Sequence, residues 1–175
     1  MAEPLMPYND FVAFAAGDNV DQTRFDGVIA AIRRYCGWHI APLVEETFTV
    51  DGPGGTELML PTLQLVAVES VVDNGQTLTD GTDFDWSEDG SFERRHGHWG
   101  RRKRGVVVRA QHGYDSAPAD VVSVVLDAVS RAVSVPAGQQ PEKMGPFEFG
   151  GSRGGVDFFE SEKRTLDLYR LESRP

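Results

Sequence analysis

Three groups of residues have types and spacings that bear on chemistry. The first is acidic. Asp83-Phe84-Asp85-Trp86-Ser87-Glu88-Asp89-Gly90 opens as a calcium loop does, with oxygen donors at alternate positions. Such a loop requires glycine at its sixth position and an acid at its twelfth, where this chain has Glu88 and Arg94. The match fails, and a structured acidic hairpin is the reading that remains. The second group is Cys36 and His39 with His96 and His98. Zinc takes four ligands in clustered pairs, and no CxxC or second close pair completes a tetrahedral set here. The third group is Arg94-Arg95-His96-Gly97-His98-Trp99-Gly100-Arg101-Arg102-Lys103-Arg104-Gly105, which holds six cations and no acid.

Nucleophilic chemistry has less to stand on. There is no G-x-S-x-G elbow and no P-loop, and the glycines at 150–155 fall in a linker. A hydrolase whose acids converge only in the fold has no spacing to support it and ranks last. The chain is therefore expected to have no catalytic centre, no cofactor and no metal.

The basic segment is the strongest local anomaly. Like charges repel, so concentrating six of them favours an acidic surface or phosphate opposite. A solvated β-hairpin and a contact loop both stand as readings, with Arg94, Arg95, Trp99, Arg101, Arg102, Lys103 and Arg104 as the contact residues in the second. The net charge of the chain is −10; removing six of its 17 cations leaves 11 against 27 acids, or −16 for the rest. That balance argues against general DNA binding, which needs a surplus of Lys and Arg.

The elements that must position these groups follow from periodicity. Phe25, Val28, Ile29, Ile32, Tyr35 and Cys36 predict a helix over 21–36, with Asp21 as N-cap and Gly37 as terminator, preceded by a short helix over 9–16. From Val44 the period changes to two, and strands follow around Leu63–Val72, Phe84–Trp86, Ser91–Glu93 and Val106–His112, with hairpin signals at Asn74-Gly75 and Asp89-Gly90. Residues 44–113 thus read as an antiparallel β-meander, with Leu63–Val72 as a buried strand.

A long helix over 117–135 starts at Pro118 and carries one narrow polar stripe, Ser123, Asp127, Arg131 and Ser134, so it is expected to be buried on two sides, one against the meander and the other against a neighbouring subunit or the N-terminal helices. Residues 136–157, rich in glycine and proline, read as a linker. Beyond it, 158–175 carries a short helix with Phe158, Phe159, Leu166, Leu168, Tyr169, Arg170 and Leu171. A short apolar helix on a tether is unstable alone, so it docks on its own domain or, the preferred reading, on a partner.

The fold class is α+β, a helical frame with an inserted meander and a tethered C-terminal helix; residues 1–135 form the core. At 175 residues, 40% apolar and 25% charged, the chain fits one domain with an extension. The lone Cys36 suits a reducing compartment, hence cytoplasmic synthesis. The apolar run Phe11–Ala16 is far below the ~20 residues of a membrane span, so no membrane partner is expected.

The order of features resembles one family. Ile32-Arg33-Arg34-Tyr35-Cys36-Gly37-Trp38-His39-Ile40-Ala41-Pro42 closes a helix; Leu58-Met59-Leu60-Pro61-Thr62-Leu63 and the Val68–Gly75 hairpin follow; then come His112-Gly113-Tyr114-Asp115, Pro118-Ala119-Asp120-Val121 and Leu166-Asp167-Leu168-Tyr169-Arg170. Together these resemble the head-to-tail adaptor (connector) proteins of long-tailed bacteriophages, particularly of actinobacterial hosts, over most of the chain. The resemblance implies a dodecameric homo-oligomeric ring beneath the portal protein. That ring extends the DNA channel in the virion neck and offers a platform to a stopper or tail-terminator protein. It also implies that DNA passes without sequence-specific binding, that the C-terminal helix reaches the portal, and that assembly occurs in the bacterial host cytoplasm. Two other readings are a stopper or tail-completion protein of the same neck, and a β-rich module binding nucleic acid or an acidic ligand.

Overall fold

The structure, a computed structural model, describes residues 5–14, 22–134, 143–144, 147–148 and 156–171. The chain divides into two compact units, one helical (Met1–Cys36 with Ala117–Arg170) and one of β-strands (Gly37–Ser116 with Leu171–Pro175).

In the helical unit, α1 spans Tyr8–Phe14 and α2 Gln22–Cys36. The buried residues of α2, Phe25, Val28, Ile29, Ile32 and Cys36, form the stripe that the sequence spacing predicts. Phe11 of α1 stacks on Phe25 with ring centroids 5.1 Å apart. Gly37, at φ +85°, takes the left-handed conformation that ends α2, and the predicted cap Asp21 lies outside the described residues. The long helix α3, Ala119–Ser134, buries Val121, Val124, Val125, Ala128 and Val129. It packs on α2 along one side and on α4, Glu160–Asp167, along another, which supplies the two-sided burial its wide apolar surface calls for. Of its predicted polar stripe, Ser123 and Asp127 are exposed, Arg131 is half-buried, and the Ser134 side chain lies outside the described residues. Within the expected linker, the described residues form the antiparallel pair β8 (Lys143–Met144) and β9 (Phe147–Glu148).

The β unit has seven strands: β1 Val44–Val50, β2 Glu57–Met59, β3 Leu65–Asp73, β4 Gln76–Leu78, β5 Phe84–Trp86, β6 Ser91–Arg94 and β7 Val106–His112. All pair antiparallel, as expected of the insertion. They do not pair in chain order, however, and they make two sheets, β1-β7-β3-β4 and β2-β6-β5. One core joins the two sheets: Phe48, Leu65, Val71, Val106, Val108 and Ala110 from the first meet Leu58, Phe84 and Phe92 from the second. The β3–β4 turn is Asn74-Gly75, both at positive φ, as a tight two-residue hairpin requires. β3 differs from the buried strand expected. Two register irregularities against β7 turn Val66, Glu69 and Ser70 outward, leaving Leu65 and Val71 in the core.

Candidate interaction site

The basic segment connects β6 of one sheet to β7 of the other, and it is fixed along its length. The Arg94 N–H donates to the Thr56 carbonyl (2.8 Å), the Trp99 N–H to Gly55 (2.8 Å), and Asn74 donates to Gly105 (2.8 Å). In return, Gly52 donates to the Arg102 carbonyl (3.0 Å) and Gly54 to Gly100 (3.1 Å). The Gly100 N–H reaches a carboxylate oxygen of the buried Asp73 at 3.0 Å. The two segments lie so close that a Cβ at Gly52 would run into the Gly100 carbonyl, which explains the glycine there. Trp99 anchors the middle. It is 1% exposed, and its indole N–H donates to the Thr56 carbonyl at 2.9 Å.

This geometry sorts the predicted contact residues. Trp99 is core, which corrects its reading as a residue presented to a partner. Arg94 is half-buried, with its guanidinium over the Trp99 ring at 5.4 Å and two of its nitrogens enclosed without an acceptor. It therefore holds the loop. Arg95 forms a two-pronged ion pair with Asp85 (2.6 and 2.8 Å), and Lys103 pairs with Asp51 at 2.8 Å. Lys103 and the Arg104 amide together hold the Asp51 carboxyl below the usual carboxylate range. Arg101, Arg102 and Arg104 are exposed and make no ion pair among the described residues. A rigid tip with three uncommitted guanidinium groups is what the loop offers outward.

The other predicted contact segment lies in the helical unit and is committed differently. Leu166 is fully buried, and its carbonyl lies 3.7 Å from the Cys36 sulfur. Burial pushes the Cys36 thiol up to about 12. Glu162 is buried, accepts the Phe159 N–H at 2.7 Å, and pairs through both oxygens with Arg131 of α3 (2.6 and 2.8 Å). Tyr35 donates to Asp167 at 2.7 Å, Tyr169 donates to the Asp120 carboxylate, and Arg170 lies over the Tyr35 ring. Phe158 packs edge-on against Tyr35. In this structure α4 packs on its own chain: its apolar stripe and its charges find complements on α2 and α3. Two large apolar side chains remain outward, Phe159 at 59% and Leu168 at 74% exposure; Leu171 is half-buried.

Two constellations escaped the sequence reading. The strand register places Glu57 of β2 directly opposite Glu93 of β6, and Glu93 opposite Asp85 of β5. This row of three carboxylates crosses the outer face of the small sheet, and Arg95 answers only its Asp85 end. On the larger sheet, by contrast, Arg109 sits between Glu45 and Glu69 and bonds both. The second constellation surrounds His112, which is buried beside Phe48 and His39, with Thr62 at 3.2 Å and Glu46 at 3.0 Å on its two ring nitrogens. Burial, and then the neighbouring His39, lower its pKa against the opposing pull of Glu46. Among the described residues, no group of three His, Cys, Asp or Glu could hold a metal, and no helix is long and apolar enough to cross a membrane.

No known protein family matches the chain, and no curated protein does. Solved structures do. A chain in the neck of a native gene transfer agent (GTA) particle, computed with C12 symmetry, matches over 100% of both chains with a TM-score of 0.57 at 16% identity. A chain in the neck of an empty GTA particle, computed with C6 symmetry, gives 0.58 over 100% of this chain and 97% of that one, also at 16% identity. A chain in the virion of a native GTA particle gives 0.59 with the same coverage and identity. This chain has the fold of a GTA neck protein. At that identity the likeness concerns architecture, and it covers the whole length of this chain.

Proposed function

We propose that the chain is a structural subunit of a phage-type neck: one of a ring of identical copies that joins the portal to the tail-side neck proteins, continues the DNA channel and catalyses nothing. One observation carries the reading, the end-to-end fold likeness to chains from necks computed with sixfold and twelvefold symmetry. The adaptor-like order of sequence features supports it independently, and so does the charge. A wall with a net −10 per subunit repels the DNA backbone, so the genome slides past without sequence-specific contact.

Within this reading, Arg101, Arg102 and Arg104 meet a neighbouring protein in the neck. Phe159 and Leu168, on the segment 158–175 beyond the 136–157 tether, face the portal, while Leu166 and Tyr169 hold α4 at home. The ring forms in the bacterial host and remains in the virion. Negative-stain electron microscopy of the protein mixed with the portal ring of its own particle tests the placement. An added layer on the narrow end of the portal is the expected result. Bare portals would remove portal attachment and move the chain to a lower position in the neck.

A further inference from the structure

Among the described residues of its unit, nothing covers the outer face of the β2-β6-β5 sheet, and its composition specifies what would cover it. Glu57, Glu93 and Asp85 stand side by side across the three strands. Carboxylates directly opposite one another in a sheet are destabilising unless a cation lies over them. Glu57 and Glu93 are exposed and make no ion pair among the described residues. The row lies in a groove of about 360 Å³ that Met59, Trp86 and Ser87 also line. The same β unit carries the opposite surface, the tip with Arg101, Arg102 and Arg104. That tip is held to residues 52–55 by backbone hydrogen bonds, so it cannot swing onto the groove of its own copy.

We propose that the acidic groove of each copy receives the Arg101–Arg104 tip of the next. The proposal rests on the ring reading above and deepens it by naming the two surfaces. Groove and tip are different patches, and every copy carries both, so the contact is head-to-tail, which closes into a ring when its rotation divides the circle. Arginine suits the role, because a guanidinium fork spans neighbouring carboxylates where an ammonium meets one. The contact answers both like-charge clusters together, the row on the sheet and the three cations on the loop.

Cross-linking tests it. Cys36 is buried and its thiol unreactive at neutral pH, so introduced cysteines report alone. One tagged copy carries Ser87→Cys in the groove and a second, differently tagged, carries Lys103→Cys at the tip; the two are mixed at high concentration and low salt with a short bismaleimide. Mixed dimers are expected. Adding Arg101→Glu, Arg102→Glu and Arg104→Glu to the tip copy should lower their yield about tenfold, as should adding Glu57→Lys and Glu93→Lys to the groove copy; tenfold corresponds to roughly 1.4 kcal/mol of lost pairing. Both sets together should restore the yield. All these positions are exposed, and circular dichroism checks that each variant is folded.

Mixed dimers indifferent to the reversals overturn the proposal, and so does a complete absence of mixed dimers. Reversals that spare the cross-link but release a short DNA duplex would assign the tip to DNA instead. None of these outcomes touches the neck reading, which stands or falls on whether the chain is found in particles.

Discussion

The basic loop 94–105 and the C-terminal helix α4 look alike in sequence, each a segment set apart from the core by composition and each a natural candidate for gripping a partner. The structure holds both in place by opposite means. The loop is fixed by main-chain hydrogen bonds to residues 52–56 and by one buried indole under Arg94, so the arginines of its tip, Arg101, Arg102 and Arg104, are not needed for its own stability. The helix is fixed by its side chains: Leu166 fills the core, and Glu162, Asp167 and Tyr169 find their complements on α3, α2 and α3 again. A segment pinned through its backbone keeps its side chains for others. One pinned through its side chains has only its outer edge left, here Phe159 and Leu168.

The largest effect expected is at Trp99, the residue that lets the loop hold its shape without its charges. Trp99→Ala should lower the stability of the β unit by about 3–5 kcal/mol, seen as an earlier midpoint in urea unfolding. An effect below ~1 kcal/mol would mean that the backbone ladder stands alone. On the helical side, Arg131→Leu strands the buried Glu162 carboxylate and should cost roughly 3 kcal/mol. The double variant Arg131→Leu/Glu162→Leu should recover most of that and still miss about 1 kcal/mol for the lost bond to the Phe159 N–H. Equal losses in the single and double variants would show that α4 is not held by the pair.

A smaller effect is the pH dependence carried by His112. Its folded pKa is lowered, so the unfolded chain binds a proton more readily. Stability is then full above about pH 6.5 and declines as pH falls from there towards the folded value, by up to about 1.4 kcal/mol per pH unit. His112→Gln should flatten the unfolding midpoint across that window, and an unchanged slope would place the titration elsewhere. The smallest effect on stability is at the tip. Arg101→Ser, Arg102→Ser and Arg104→Ser together should shift it by less than about 0.5 kcal/mol while weakening assembly, a separation that no variant of the buried α4 residues should reproduce.

What was legible in the sequence was local. The apolar stripe of α2, the Asn74-Gly75 turn and the two-sided helix α3 are each set by residues within a few positions of one another, and they appear where the periodicity puts them. Partnerships across long stretches were not legible. Nothing near Val44 indicates that β1 lies against β7, or near Glu57 that β2 lies against β6, since register is decided by the shared core. The same gap hid the candidate groove, because its carboxylates come from three strands and become one surface only when paired. It also hid the docking of α4. Arg131 read as part of a polar stripe and nothing marked Glu162, 31 residues away; only the packing of two helices brings the half-buried arginine onto the buried carboxylate. The signal available for the tip was composition, which found the charged segment and could not separate Trp99 and Arg94, turned inward, from the three arginines turned outward.

The most direct test of the central claim is a cryo-electron microscopy reconstruction of the neck of particles produced with this chain, located by a tag on it. The account predicts a closed ring of copies between head and tail, with density continuous from one copy to the next. Complete particles whose necks lack the chain would contradict it.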